Sequence, residues 1–266
     1  MKRNILIIDD HDDLATALDE VFTHTGHRVK VIDNGRSVPS AKDLNSFDLI
    51  VTDLDVEEGS AFAAANGNLP RCLPHDTKKH KGERTKAFKI CASGFRGDGL
   101  NEEELKNFVA TILDYKIRFV DTEEFVQDLH EYIEFELPSA LSLMHIILEY
   151  LLKRVEKLAG VRCDETNLFV ALDEAFVNAI KHGNKFDASK LVRVTAEISN
   201  QEARFVIEDE GDGFDVRQIA DPLDPENLFK TSGRGVLFIY NIMDEVKYNE
   251  RGNRLTMVKR CKPQPI

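Results

Sequence analysis

Two polar side chains in the second half of the chain have the spacing and the chemistry of a metal-assisted reaction. Glu174 and Asn178 stand four positions apart in the segment LDEAFVNAIKHG, so a helix would place both on one face, beside an apolar stripe. A side-chain amide oxygen is a suitable ligand for Mg²⁺, and a nearby carboxylate can take a proton from a hydroxyl or a water. The pair therefore predicts a metal-binding asparagine and a general base. An exposed helix edge with an ordinary hydrogen bond between the two side chains is the alternative.

An acidic turn with two glycines follows an apolar strand further along the chain. Residues 205–213 read FVIEDEGDG, in which Gly211 and Gly213 would let the backbone approach a flat ligand closely. The carboxylate of Asp209 could accept a hydrogen bond from an exocyclic amine such as that of adenine. A plain hairpin turn rich in aspartate and glycine would have the same composition.

A glycine-rich loop then leads directly into an apolar helix. Gly233, Arg234 and Gly235 precede the helical pattern of residues 236–243, and free backbone N–H groups at a helix N-terminus favour a phosphate. Arg234 adds a positive charge. Each of the three signals is weak alone, but their order along the chain indicates a site for a nucleotide with Mg²⁺.

These segments resemble the N, G1 and G2 boxes of the GHKL ATPase superfamily. The variants ExxxNAIKHGN, DEGDGFD and SGRGVxxI…MDEV resemble most closely the bacterial anti-sigma factor serine kinases. The resemblance implies a GHKL (Bergerat) α+β sandwich that binds ATP and Mg²⁺, with Glu174 as the general base and Asn178 on the metal. The other implied site residues lie beside adenine (Asp209, Gly211, Gly213 and Thr256) or in a lid over the phosphates (Gly233, Arg234 and Gly235).

By this resemblance the protein is a serine/threonine kinase whose partners are a STAS-type anti-anti-sigma protein and a sigma factor. Two alternatives stay open: a nucleotide-loaded module that sequesters a partner without chemistry, and an ATPase that works as a conformational clamp. An intact Glu174 favours the enzyme over the binding module. His145 lies on the first helix of the ATPase region, without the preceding dimerisation helix that a histidine kinase needs, and is interpreted as structural.

Three aspartates in the first half follow strand-like segments. Asp9 and Asp10 come after the apolar run ILII, and Asp53 comes after residues 47–52. The carboxyl ends of parallel strands gather at one edge of a sheet, where three carboxylates would repel one another unless a cation joined them. Aspartates that merely end strands are the alternative.

The pattern resembles the receiver domain of response regulators. By that resemblance Asp53 is the phosphoacceptor of a two-component system with an upstream histidine kinase, and Ser93 is the switch hydroxyl. Asp10, Asp53 and Asp9 would hold Mg²⁺. Receivers usually carry Lys-Pro after the fifth strand, whereas Asp121-Thr122 stands at that place here.

Apolar periodicity predicts two domains of different class, residues 1–132 and 133–266. Alternation of strands (5–8, 29–32, 47–52, 88–92, 118–120) with helices (12–25, 102–113, 122–132) predicts a doubly wound, flavodoxin-like parallel sheet. Helices at 139–158, 166–181 and 235–243 with strands at 193–199, 203–209 and 255–260 predict an α+β sandwich. Residues 57–86 break the rhythm. Their basic run at 76–86 predicts an exposed loop, with a docking patch for an acidic partner as the alternative.

Composition limits the classes of protein that the chain can be. The 266 residues carry a net charge of −12, which disfavours broad binding to nucleic acid or to anionic membranes. Apolar runs are too short to span a bilayer, and the first one ends too early for a signal peptide, so we expect a cytoplasmic protein. A homodimer is left open. The four cysteines are scattered without a CxxC pair and are interpreted as buried or incidental thiols.

Overall fold

The computed structural model describes residues 2–9, 13–33, 41–56, 84–92, 100–122, 129–159, 167–215 and 234–260. The chain divides into two compact units, Met1–Pro138 and Ser139–Ile266. Of the cysteines, Cys91 is a buried thiol, while Cys72, Cys163 and Cys261 lie outside the described residues. None of the helices in the described ranges has the length and apolar composition needed to cross a bilayer.

The first unit is built on a five-stranded sheet in the order β2-β1-β3-β4-β5. Its strands are β1 (Asn4–Asp9), β2 (Arg28–Asp33), β3 (Leu49–Val56), β4 (Arg84–Ala92) and β5 (Leu129–Pro138), and its helices are α1 (Asp13–His24), α2 (Ala41–Leu44) and α3 (Glu102–Tyr115). β1 is apolar and almost fully buried, as the sequence predicted for a strand covered on both faces. A capping box between Asn101 and Glu104 begins α3.

The expectation of a wholly parallel sheet is wrong at β4. β1 pairs in parallel with β2 and β3, but β4 runs antiparallel to β3, and β5 is parallel to β4. A parallel partner for β3 would need a crossover connection, usually a helix. α3 supplies such a helix between β4 and β5, which are parallel. Most of the basic run lies outside the described residues.

Two elements that the sequence predicted after α3 are different in the structure. Residues 118–120 are not a strand, because the helix continues as a π-helical turn, Lys116–Val120, in which the Asp121 N–H donates to the Lys116 carbonyl at 2.8 Å. The helix predicted at 122–132 is wrong at its end, where residues from Leu129 onward form β5. The side chain of Lys116 is bound inside the first unit, and this tertiary contact overrides the strand propensity of the apolar residues beside it.

The second unit packs helices on an antiparallel sheet in the order β6-β7-β9-β8. The strands are β6 (Leu191–Ile198), β7 (Glu202–Asp209), β8 (Glu245–Tyr248) and β9 (Arg254–Arg260). The helices are α4 (Leu141–Ala159), α5 (Leu168–Val177) and α6 (Arg234–Ile242), and a π-helical turn, Asn178–Gly183, follows α5. The hairpin β6–β7 and the three helices match the sequence prediction, and β8 is an additional strand.

Candidate functional site

A cavity of about 640 Å³ opens in the second unit where the predicted motif segments converge. Its walls come from α5 and the following π-helical turn, the end of β7, the start of α6, and the turn between β8 and β9. The lining residues are Glu174, Ala175, Val177, Asn178, Ala179, Lys181, His182, Gly183, Ile207, Asp209, Gly213, Phe214, Gly235, Val236, Tyr248, Gly252, Asn253, Arg254 and Leu255.

Glu174 and Asn178 both line this cavity, and α5 explains why. Its buried face is formed by Leu168, Ala171, Leu172, Ala175 and Phe176, which leaves the two polar side chains at the half-buried edge. The Nδ2 atom of Asn178 is buried and has no hydrogen-bond partner among the described residues. An unpartnered amide beside a carboxylate fits a hydrated Mg²⁺ with phosphate oxygens, since the amide end of an asparagine can turn its oxygen toward a metal.

The far wall of the cavity carries the carboxylate of Asp209. This residue is 9% exposed, and its Oδ1 accepts a hydrogen bond from the Gly211 N–H at 2.8 Å. Burial raises the pKa of Asp209, while the hydrogen bond from Gly211 acts in the opposite direction. Within the described part of the chain, Gly211 is the donor to this carboxylate, so the second oxygen is available to an amine of a ligand.

Three glycines keep the two ends of the cavity open. A Cβ atom on Gly183 would overlap the carboxylate of Asp209, and one on Gly211 would overlap the Gly183 carbonyl. A Cβ atom on Gly235, at the start of α6, would overlap Oε2 of Glu174. Any side chain at these positions would displace one of the two carboxylates that the cavity presents.

The remaining predicted residues differ in whether they line the cavity. Gly213 lines it with a positive φ of 76°. Thr256 is not among the lining residues, whereas Leu255 lines the cavity together with Ile207, its register partner on β7. Gly233 lies outside the described residues, and only the backbone of Arg234 is described.

Several asparagines around the cavity were not found from the sequence. Asn184 is fully buried, where its Nδ2 donates to Ser139 Oγ at 2.6 Å and its Oδ1 accepts from the Glu210 N–H at 2.8 Å. It thereby joins the end of the π-helical turn to the acidic turn after β7. Asn249 and Asn253 act similarly in the β8–β9 turn. An asparagine beside a glycine also occurs in ordinary loops, so the sequence alone has no signal for these contacts.

In the first unit, Asp9 at the end of β1 pairs in register with Asp53, which lies within β3 rather than after its end as the sequence predicted. Asp53 is 4% exposed, and Nζ of Lys116 donates to both of its carboxylate oxygens, at 2.9 and 3.1 Å. Asp121 lies 3.4 Å from the same nitrogen. The ammonium also lies 4.6 Å from the centre of the Phe88 ring. Lys116 thus supplies a positive charge that the sequence pattern lacked at the expected place.

The buried charges shift one another's pKa. Burial raises the pKa of Asp53 to about 6, although attraction from Lys116 opposes the shift. Burial alone would lower the pKa of Lys116, but attraction from Asp53 and Asp121 outweighs it and raises that pKa above its usual value. Two carboxylates that face one ammonium stabilise its charged form.

The described residues do not fit the Mg²⁺ site implied by the receiver resemblance. Both oxygens of Asp53 face Lys116, and Oδ2 of Asp9 accepts the Ala15 N–H at the start of α1, at 2.9 Å. No group of three acidic, histidine or cysteine side chains suited to a metal occurs in the part of the chain that the structure describes. Asp10 and Ser93 lie outside that part.

Comparison with known proteins agrees with the geometry of the second unit. Residues 137–259 match the family model of the histidine kinase-like ATPase domain. The serine-protein kinase RsbW of Staphylococcus epidermidis is 29% identical over 150 residues, which cover 53% of this chain and 94% of the relative. RsbW of Staphylococcus aureus strain JH9 has the same identity and coverage. Over these residues the second unit is therefore similar to histidine kinase-like ATPase domains, and its cofactor is ATP with Mg²⁺.

Proposed function

We propose that the protein is an ATP-dependent serine/threonine kinase whose second unit transfers a phosphoryl group to a STAS-type anti-anti-sigma protein. The observation that carries the proposal is the placement of Glu174, Asn178 and Asp209 around one cavity. The likeness to serine-protein kinases over nearly their whole length supports the same activity. By the resemblance of its motifs to the anti-sigma factor serine kinases, the kinase would control a sigma factor through that partner.

Each of the three side chains has a distinct proposed task. Asp209 accepts a hydrogen bond from the adenine amine, and Asn178 provides an oxygen to the Mg²⁺ that accompanies the phosphates. Glu174 takes the proton from the hydroxyl of the incoming serine or threonine. Phosphoryl transfer needs little more from the protein than this positioning and charge neutralisation, which ATP-bound Mg²⁺ assists. The start of α6, where Gly235 lies against Glu174, belongs to the proposed lid.

The carboxylate of Asp209 gives the proposal a direct binding test. We expect Asp209→Asn to weaken Mg-ATP binding by about tenfold or more, since a mismatched buried polar contact costs ~1–3 kcal/mol. Calorimetry on the full chain would measure this. Asp212→Asn is the matched control, because Asp212 is exposed in the same turn. Equal ATP affinity in parent and Asp209→Asn would contradict the assigned role.

For the first unit we propose a receiver-type input domain, in which phosphorylation of Asp53 by a histidine kinase regulates the kinase unit. The sheet order β2-β1-β3-β4-β5 and the register pair of Asp9 and Asp53 on adjacent strands support it. A phosphoryl group on Asp53 would add negative charge beside Lys116. It would so alter the π-helical turn that carries this lysine.

A pseudo-receiver that serves as a docking or dimerisation domain is the second candidate for this unit. The observation that favours it is the low accessibility of Asp53, which is buried and hydrogen-bonded through both oxygens to Lys116. A phosphodonor can reach this carboxylate only after the lysine has moved away.

Acetyl phosphate distinguishes the two candidates. We expect slow and partial phosphorylation, seen as a mass gain of one phosphoryl group in the parent and none in Asp53→Ala, because Lys116 must first leave the carboxylate. Kinase activity should differ between the phosphorylated parent and the variant. If the parent gains no mass and both proteins have identical activity, the pseudo-receiver is the correct assignment.

A further inference from the structure

The main chain of Asp209 is held on both sides by one asparagine from the β8–β9 turn. The Asp209 N–H donates to the carbonyl of Asn253 at 3.0 Å, and the Asn253 side-chain Nδ2 donates to the carbonyl of Asp209 at 2.8 Å. Asn253 is 6% exposed and lines the cavity. The β7–β9 ladder has its last register pair at Glu208 and Arg254, so this side chain extends the pairing to Asp209.

A second asparagine sets the orientation of that amide. Oδ1 of Asn249 accepts the N–H groups of Gly252, Asn253 and Arg254, at 2.8, 3.1 and 3.2 Å. Its Nδ2 donates to Oδ1 of Asn253 at 2.9 Å. With Oδ1 of Asn253 bound in this way, its Nδ2 must face the Asp209 carbonyl.

The same turn interlocks with the acidic turn after β7. Nη2 of Arg251 donates to the Gly211 carbonyl at 2.8 Å, and the Phe214 N–H donates to the Arg251 carbonyl at 3.0 Å. A Cβ atom on Gly213 would overlap the Arg251 carbonyl, and one on Gly252 would overlap the Phe214 carbonyl. Both glycines have a positive φ, so the two turns fit together only with this backbone.

We propose that Asn249 and Asn253 are positioning residues that give the nucleotide site its preference for adenine, by fixing Asp209 through a relay from Asn249 to Asn253 to the Asp209 main chain. The inference rests on the proposed ATP-binding function and adds to it the residues that set its base specificity. It places part of the recognition of the base in a turn that contributes no carboxylate to the lining of the cavity.

Asn249→Asp in the full chain separates this relay from a purely structural role of the turn. The aspartate keeps the acceptor for the three amide groups but loses the donor to Asn253, whose amide then turns and presents an oxygen to the Asp209 carbonyl. Calorimetry with ATP and with inosine triphosphate, which lacks the exocyclic amine, measures the effect. We expect the parent to prefer ATP by about tenfold or more, and the variant to lose most of that preference while its affinity for inosine triphosphate changes little.

Two further variants complete the test. Asn253→Ala keeps the Asn249 turn, removes the donor to Asp209, and should reduce the preference in the same way. Asn241→Asp makes the same charge change on the exposed face of α6 and should keep it. An unchanged preference in Asn249→Asp and Asn253→Ala would overturn the relay, and so would an equal loss of affinity for both nucleotides. Neither result would contradict the proposed ATP-binding function. A parent that shows no preference for ATP would instead remove the role of Asp209 itself, and the relay with it.

Discussion

Glu174→Gln should lower the rate of phosphoryl transfer by about 10²-fold or more and leave the affinity for Mg-ATP nearly unchanged. The glutamine keeps the shape that packs against Gly235 at the start of α6, but it cannot accept the proton of the attacking hydroxyl. Single-turnover transfer of labelled phosphoryl from ATP to a serine-containing STAS-type protein would measure the rate. Calorimetry would measure the affinity in parallel.

Asp173→Asn is the matched control, since Asp173 is exposed on the same helix and the variant makes the same change of charge. It should transfer the phosphoryl group at the rate of the parent. If Glu174→Gln is also as fast as the parent, the general base is not Glu174. If neither the parent nor the variants transfer phosphoryl while all of them bind ATP and the partner, the protein is a sequestering module.

Lys116→Met should destabilise the first unit by about 3–5 kcal/mol, the usual cost of leaving a buried charge without its partner. The variant removes the ammonium that lies between the carboxylates of Asp53 and Asp121, both of which are almost fully buried. Urea unfolding monitored by hydrogen exchange in β3 and β4 would give the free energy of unfolding for this unit.

Arg118→Met provides the comparison two residues away. Arg118 is 67% exposed and pairs with Asp114, which is 48% exposed, so its loss should cost no more than about 0.5 kcal/mol. The double variant Lys116→Met with Asp53→Asn should recover part of the stability, because one of the two uncompensated charges is removed. Equal effects of Lys116→Met and Arg118→Met would mean that the buried ion pair contributes no more than an exposed one.

The nucleotide site could be predicted from sequence because its chemistry follows short, regular spacings. Glu174 and Asn178 are separated by about one helical turn, and the apolar stripe of α5 fixes which side they face. Asp209 ends a clearly alternating strand. Thr256 does not line the cavity, although Arg254 and Leu255 do, and the local sequence has no pattern that separates these positions.

Long-range pairing is the reason that the first unit departed from prediction. An apolar strand such as β4 has the same composition in either direction, so sequence periodicity cannot distinguish parallel from antiparallel pairing with β3. A lysine charge near Asp53 was likewise expected only after the fifth predicted strand. In the structure this charge comes from Lys116, which precedes that segment, since proximity in the fold decides which lysine meets the aspartate.

Each unit carries a π-helical turn at its charged site, and this has a consequence for the tolerance of insertions and deletions. Such a turn holds one residue more than an α-helix of the same rise, as the bond from the Asn184 N–H to the Ala179 carbonyl shows. Deleting the exposed Lys181 would leave a regular α-helix of the same rise, so the residues after it would keep their phase. Gly183 would then keep its place beside the Asp209 carboxylate. A deletion of one residue at this surface position should therefore be less damaging than one within the regular turns of α5, which would rotate everything after it by roughly 100°.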